Sequence, residues 1–294
     1  MDEKVILKSI LKKRTNQLVK PFRLTRLTKR QLEEIRIESD RLRALLSVFE
    51  SYFSKRAHLE ANPALEKMSL LLEEVRSRNV SVYLLARLAE GEQNVGKRNG
   101  VGRGKPPANS GSLLEEAKMR HDHSVLNAVR ELKRVRPRKI EKILLEDFKP
   151  EADFALNSLV KILNERRERL FNQIVEIIRT SQKEAVDELR VQVEEFYYLL
   201  EFAVDAGYQK GKRLLKIVKL LRERLTEVYD EETFRQFVQD LEREKANHSD
   251  TVADVGRLRA IRNRLGIFQA HALQALHAHL PASLQVLKRE LIWI

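Results

Sequence analysis

Residues that break helices are concentrated in one place. Six of the ten glycines fall between Gly91 and Gly111, and Pro106 and Pro107 lie among them. The rest of the chain is rich in Leu, Glu, Lys, Arg and Ala, with apolar residues recurring at three- and four-residue spacing. Leu32, Ile35, Leu42, Leu46 and Phe49 make one such stripe, with Leu45 beside it. No segment shows the strict alternation of a half-buried strand. An all-α fold is expected. With 43% hydrophobic and 34% charged residues, the chain is too apolar to stay disordered and suits amphipathic helices with solvated faces.

The pattern predicts helices over 64–76, after a turn at Pro63, and over 80–89, with Asn79 as N-cap. Residues 92–112 read as a basic Gly-rich loop, too long for an ordinary connection. A helix over 113–135 is expected to end at Pro137, and Pro150 to open a long one reaching about Thr180. Further helices are expected over 182–204 and 210–228, then from a cap at Asp230 to about Lys245, and finally over 250–278 and 282–292.

The chain also repeats itself at long range. A shift of 154 residues lays Glu33-Glu34-Ile35-Arg36-Ile37 on Asp187-Glu188-Leu189-Arg190-Val191. It lays Asp40 on Glu194, Leu42 on Phe196 and Leu45-Leu46 on Leu199-Leu200. Acids, arginine and apolar stripe coincide, which points to a duplication: an N-terminal helical half over 1–148, with a basic N-terminal arm, and a C-terminal half over 149–294. Two four-helix bundles related by an approximate two-fold axis are the expected architecture.

These residues resemble the conserved histidine α-helical domain (CHAD) family. Its repeated helix reads approximately H-x-L-R-x-x-x-[RK]-R-[LF]-R-x-x-L-x-x-F, and here it runs Glu33-Glu34-Ile35-Arg36, then Asp40-Arg41-Leu42-Arg43, Leu46 and Phe49. The second copy is Asp187-Glu188-Leu189-Arg190, then Glu194-Glu195-Phe196-Tyr197 and Leu200. Arg78-Asn79-Val80-Ser81-Val82 and, more loosely, Tyr229-Asp230-Glu231-Glu232 resemble the family's R-D-x-D-V turn. The resemblance implies a pair of helical bundles that bind inorganic polyphosphate on a basic surface or pore between the halves. Acids replace the motif histidine at Glu33 and Asp187, and Asp40 and Glu194 stand where a base is usual. Arg36–Asp40, Arg43–Asp40 and Arg190–Glu194 are at spacings that permit intrahelical ion pairs.

Charge points the same way. The net charge is +13, and between Lys4 and Leu32 ten Lys or Arg stand without one Asp or Glu. Such a field gathers polyanions. The candidate binding residues are Arg36, Arg41, Arg43 and Arg190 on the motif helices, and Arg130, Lys133, Arg134, Arg138 and Lys139 in a cluster around Pro137 that also holds Arg136. Other clusters are Lys210, Lys212, Arg213, Lys216 and Lys219, and Arg257, Arg259, Arg262 and Arg264. Charge reversal at Arg36 and Arg43 together is expected to weaken polyphosphate binding without unfolding the chain.

No phosphate-loop, nucleophile-elbow or kinase signature occurs, and no Glu-x-x-His pair for a di-iron site. His121 with His123, and His277 with His279, are two residues apart and diverge on a helix. There is no cysteine, and no apolar run long enough to span a membrane. A cytoplasmic, non-enzymatic protein without cofactor or metal is expected. Three readings stay open: a polyphosphate-binding module, a helical nucleic-acid binder, and a CHAD-like scaffold for protein partners.

Overall fold

The computed structural model describes residues 3–24, 26–98, 110–149, 156–180, 183–247 and 252–289. Among them are nine α-helices: α1 Glu3–Val19, α2 Lys29–Val48, α3 Asn62–Arg98, α4 Ser110–Leu132, α5 Pro137–Asp147, α6 Leu156–Thr180, α7 Lys183–Asp205, α8 Gly211–Asn247 and α9 Val252–Arg289. The described residues hold no strand, only an isolated bridge between Phe53 and Phe148. The expected all-α class is the observed one.

Two expected helix breaks are absent. α3 runs through Asn79 and α8 through Asp230. The reason lies in the apolar stripe. Met68, Leu72, Val75 and Leu85 are all buried at helical spacing on α3, as are Leu221, Leu225, Val228, Phe234, Val238 and Leu241 on α8. A capping side chain gains about 1 kcal/mol, less than burying one further Leu or Phe at about 1.5–3 kcal/mol. Asp230 therefore serves as an acceptor within its unit: it pairs with Arg76. α9 likewise continues through Pro281, where the sequence predicts a break near 278–282.

Three further expectations need correction. The basic N-terminal segment is not an arm: α1 buries Leu7, Ile10, Leu11 and Leu18, and packs along α2 and α5. Pro137 does not merely end a helix; it opens α5 at its first turn, where its missing N–H costs nothing. The loop expected over 92–112 is helical at both ends, to Arg98 and from Ser110, and its centre lies outside the described residues. The helix start expected at Pro150 also lies outside them.

The chain packs into two compact units that do not follow the two sequence halves. The first comprises Met1–Leu72, Leu132–Thr226 and Gln274–Ile294; the second, Glu73–Glu131 and Glu227–Leu273. In the first unit α6 lies along α7, α1 along α5 and α2, and α2 along α7. Ile35, Leu42 and Leu46 of α2 and Phe196, Leu199 and Leu200 of α7 are almost wholly buried there. The second unit closes around Leu85, Leu113, Phe234, Val238, Leu241 and Leu258.

α2 and α7, the two motif helices, begin 154 residues apart, at the spacing of the sequence repeat. A capping box sets the start of α2. The Thr28 hydroxyl accepts from the Gln31 N–H at 3.3 Å, and the Gln31 side chain accepts from the Thr28 N–H at 2.8 Å. At the far end of α7, Gly207 takes φ +104°, a conformation costly for a side chain, and lets the Tyr208 N–H reach the Ala203 carbonyl at 2.9 Å.

Candidate functional site

The candidate residues fall into two groups with opposite surroundings. On the motif helices of the first unit, arginines face acids. Arg36 is 7% exposed. Its Nε and Nη2 donate to Glu33 at 3.1 and 2.8 Å, and its Nη1 donates to Asp40 at 3.2 Å. Arg41 donates through Nε and Nη2 to Glu201 at 2.8 and 2.9 Å, and through Nη1 to Glu38 at 2.5 Å. Burial alone would make the Arg41 guanidinium easier to deprotonate, but Glu38 and Glu201 outweigh it and hold its pKa above the ordinary value.

The acids from both copies converge on this network. Asp40 accepts from the Ser69 hydroxyl at 2.5 Å, and Glu194 from the Tyr198 hydroxyl at 2.9 Å and from Arg222 at 3.2 Å. Burial raises the Asp40 carboxyl above the usual aspartate range, and the nearby Glu194 charge adds to this. Burial also disfavours the Glu194 charge, but Arg222, Arg36 and the Tyr198 hydroxyl together lower its pKa below the ordinary glutamate value. Tyr198, buried beside Glu194, is pushed well above the usual tyrosine pKa.

Two of the three intrahelical pairs expected from spacing form: Arg36–Asp40, and Arg190–Glu194 at 3.6 Å. Arg43 instead reaches Glu66 on α3 at 3.2 Å, and among the described residues no partner meets its buried Nε. The resemblance implies arginines that offer forked donors to successive phosphates. Arg36 and Arg41 spend those forks on carboxylates of their own unit. A buried arginine leaves such partners only at the cost of unpaired buried acids.

The second group surrounds a turn in the same unit. Lys133 and Arg134 follow α4; Arg138 and Lys139 open α5. All four are exposed, as is Arg136 between them. Arg136 has φ 45°, ψ 65°, a left-handed backbone in a residue with a side chain. Lys139 pairs with Glu60 at 2.7 Å. No carboxylate among the described residues lies within ion-pair reach of Lys133, Arg136 or Arg138, and none reaches Arg23, also exposed, on the 3₁₀ turn Lys20–Arg23. Arg130, expected in this cluster, is exposed on the last turn of α4 but belongs to the second unit.

Sequence reasoning missed Arg14, Glu38, Glu201 and Arg222. Arg14 of α1 is 8% exposed and pairs with Asp205 at 2.9 Å and Glu38 at 3.4 Å. Arg222 lies over the rings of Tyr197 and Tyr198, 4.9 and 5.3 Å from their centroids. Glu38 lies three residues from Arg41 on the same helix, a spacing that could have marked it, whereas the Arg14–Asp205, Arg41–Glu201 and Arg222–Glu194 pairs form across helices and leave no local signal. In the other basic clusters, Lys219 lies 3.9 Å from Glu223, and Arg259 and Arg262 pair with Glu242. The Arg257 side chain lies outside the described ones. Among the described residues no three His, Asp or Glu assemble into a metal site, and no helix is long and apolar enough to cross a membrane.

An all-helical fold with arginine-bearing motif helices α2 and α7 packed together defines a class of helical domains. The family model for the CHAD domain matches residues 9–239, and the chain belongs to that family. Its fold is similar to the crystal structure of the CHAD domain from the plant Ricinus communis, with TM-score 0.71 and 15% identity, over 95% of this chain and 91% of that one. It is also similar to PptA from Streptomyces chartreusis, with TM-score 0.69 and 15% identity, over 96% of this chain and 99% of that one. No curated protein matches the sequence.

Proposed function

We propose that this CHAD protein binds a linear polyanion, inorganic polyphosphate before any other, and that it acts by binding rather than by catalysis. The observation that carries the reading is the unneutralised charge at the turn: Arg23, Lys133, Arg136 and Arg138 are exposed, and among the described residues none has a carboxylate partner. The net charge of +13 adds a long-range field that raises the local concentration of any polyanion. Membership of the CHAD family supports polyphosphate over nucleic acid, because the motif helices resemble those of a polyphosphate-binding fold and no recognised nucleic-acid motif accompanies the charge.

The ion pairing of Arg36 and Arg41 supports a second reading, a scaffold for protein partners. Competition separates the two. Labelled polyphosphate, single-stranded DNA and duplex DNA are titrated at one fixed salt concentration, since all electrostatic binding weakens with salt. Tighter binding of polyphosphate than of either DNA is the expected result. Equal or tighter DNA binding overturns the polyphosphate reading, and no binding to any polyanion leaves the scaffold.

A further inference from the structure

We infer that the polyphosphate chain is held in two clefts on either side of the left-handed turn at Arg136, and not along the motif helices; this rests on the reading of the protein as a polyanion binder. Both clefts belong to the first unit. One, of 290 Å³, has Lys67, Arg134, Arg136 and Lys139 over an apolar floor of Ile140 and Ile143. The other, of 380 Å³, has Arg23, Lys133, Arg136 and Arg138 against Phe22 and Pro137. Arg136 lines both.

The charge balance favours an anionic chain. Among the described residues that line the two clefts the one acid is Glu60, and Lys139 already holds it. The bases come from separate segments: the 3₁₀ turn at Lys20–Arg23, the beginning of α3, and the passage from α4 into α5. The fold therefore gathers them; no single helix face does. Arginine and lysine together suit phosphate, the former through a planar fork and the latter as a point charge.

Backbone geometry at the shared residue agrees. A left-handed conformation crowds the Cβ of any residue that has one, and glycine would relieve it. An exposed arginine held there places a cation at the vertex where the clefts meet. A single phosphate occupies one cleft, whereas a chain crossing the vertex occupies both. Filling the second cleft is then an intramolecular step, so affinity rises with chain length.

The test compares long-chain polyphosphate, triphosphate and orthophosphate by calorimetric titration of the full chain. Arg136→Gly removes the guanidinium and keeps a residue at ease in the left-handed backbone, so the fold survives. It is expected to weaken long-chain binding roughly fivefold, and the triple variant Lys133→Ala, Arg136→Gly, Arg138→Ala roughly thirtyfold or more, while Arg43→Ala on α2 changes it less than about twofold. The slope of log affinity against log salt should flatten by roughly 0.7 for each phosphate that no longer meets a cation. Triphosphate should bind far more weakly than the long chain and respond little to Arg136→Gly. Wild-type binding that survives in the triple variant and falls with Arg43→Ala overturns the location. Equal affinity per phosphate for triphosphate and the long chain overturns the two-cleft arrangement. A wild-type protein that binds no polyphosphate overturns the underlying reading itself.

Discussion

Arg41 on α2 and Glu201 on α7 meet fork to fork, with Nε and Nη2 of the one donating to the two carboxylate oxygens of the other at 2.8 and 2.9 Å. This bond ties the two motif helices together, and its third donor extends the tie to Glu38, which Arg14 of α1 also meets. Replacing Arg41 by Met keeps the apolar stem but takes the fork away from Glu201 and leaves Glu38, which is 5% exposed, with the longer Arg14 contact at 3.4 Å. A loss of about 3–5 kcal/mol is expected, the usual consequence of removing one partner of a buried pair. In the double variant Arg41→Met, Glu201→Gln part of the loss should return, giving a coupling of about 1–3 kcal/mol by urea unfolding. An additive cycle would show that the bond contributes nothing to joining the helices.

Arg36 and Arg43 should respond differently to charge reversal, although they share a motif and the sequence predicts that they act together. Arg36→Glu places a carboxylate beside Glu33 and Asp40 at a site 7% exposed. Loss of about 3–5 kcal/mol, or failure to fold, is expected. Arg43 is more open and has one exposed partner, Glu66. Arg43→Glu should cost less than about 1 kcal/mol. Circular dichroism through a thermal ramp separates the two variants before any binding is measured.

The contrast shows what is legible in the sequence. The helical class, the motif helices and the Arg36–Asp40 and Arg190–Glu194 pairs depend on spacing along one helix, and spacing is visible in sequence. The unbroken course of α3 and α8 is not, because Asn79 and Asp230 look like caps until the burial of Val75, Leu85, Val228 and Phe234 is known. The Arg41–Glu201 bond is invisible for another reason: its partners are 160 residues apart, and only the packing of α2 on α7 brings them together. The turn cluster lies between these cases. Its bases around Pro137 stand out in the sequence, but Arg23 and Lys67 join them only through the fold.

Acid should act in opposite directions through Asp40 and Glu194. The folded state raises the Asp40 pKa above 3.8, so it binds that proton more tightly than the unfolded chain does. The stability linked to Asp40 is full below its unfolded pKa and is lost as pH rises through the raised folded value. Glu194 is lowered below 4.5; its contribution is present above that pH and is lost as pH falls through the folded value. Asp40→Asn, which keeps an oxygen for Ser69, should therefore gain stability relative to wild type as pH rises from below 3.8 toward neutrality. Glu194→Gln should lose stability at neutral pH and approach wild type in acid. Urea midpoints at a series of pH values would reveal the two trends; parallel curves for all three proteins would refute both.

Arg136 offers a case where stability and binding should part. Its φ of 45° is the only positive value among described residues other than glycine. Its side chain is exposed and makes no ion pair among the described residues, so removing it forfeits little packing. Arg136→Gly relieves the strain of the left-handed backbone but also frees the unfolded chain, and the balance should be a change between about 0 and +1 kcal/mol in stability. Arg136→Ala leaves the Cβ in place and should gain nothing. If the guanidinium is held at the turn for the anion, glycine should raise or preserve the melting temperature while weakening polyphosphate binding, and alanine should weaken binding without the thermal benefit. A marked loss of stability in Arg136→Gly and Arg136→Ala alike would mean that the left-handed turn is held by the arginine side chain and not merely tolerated by it.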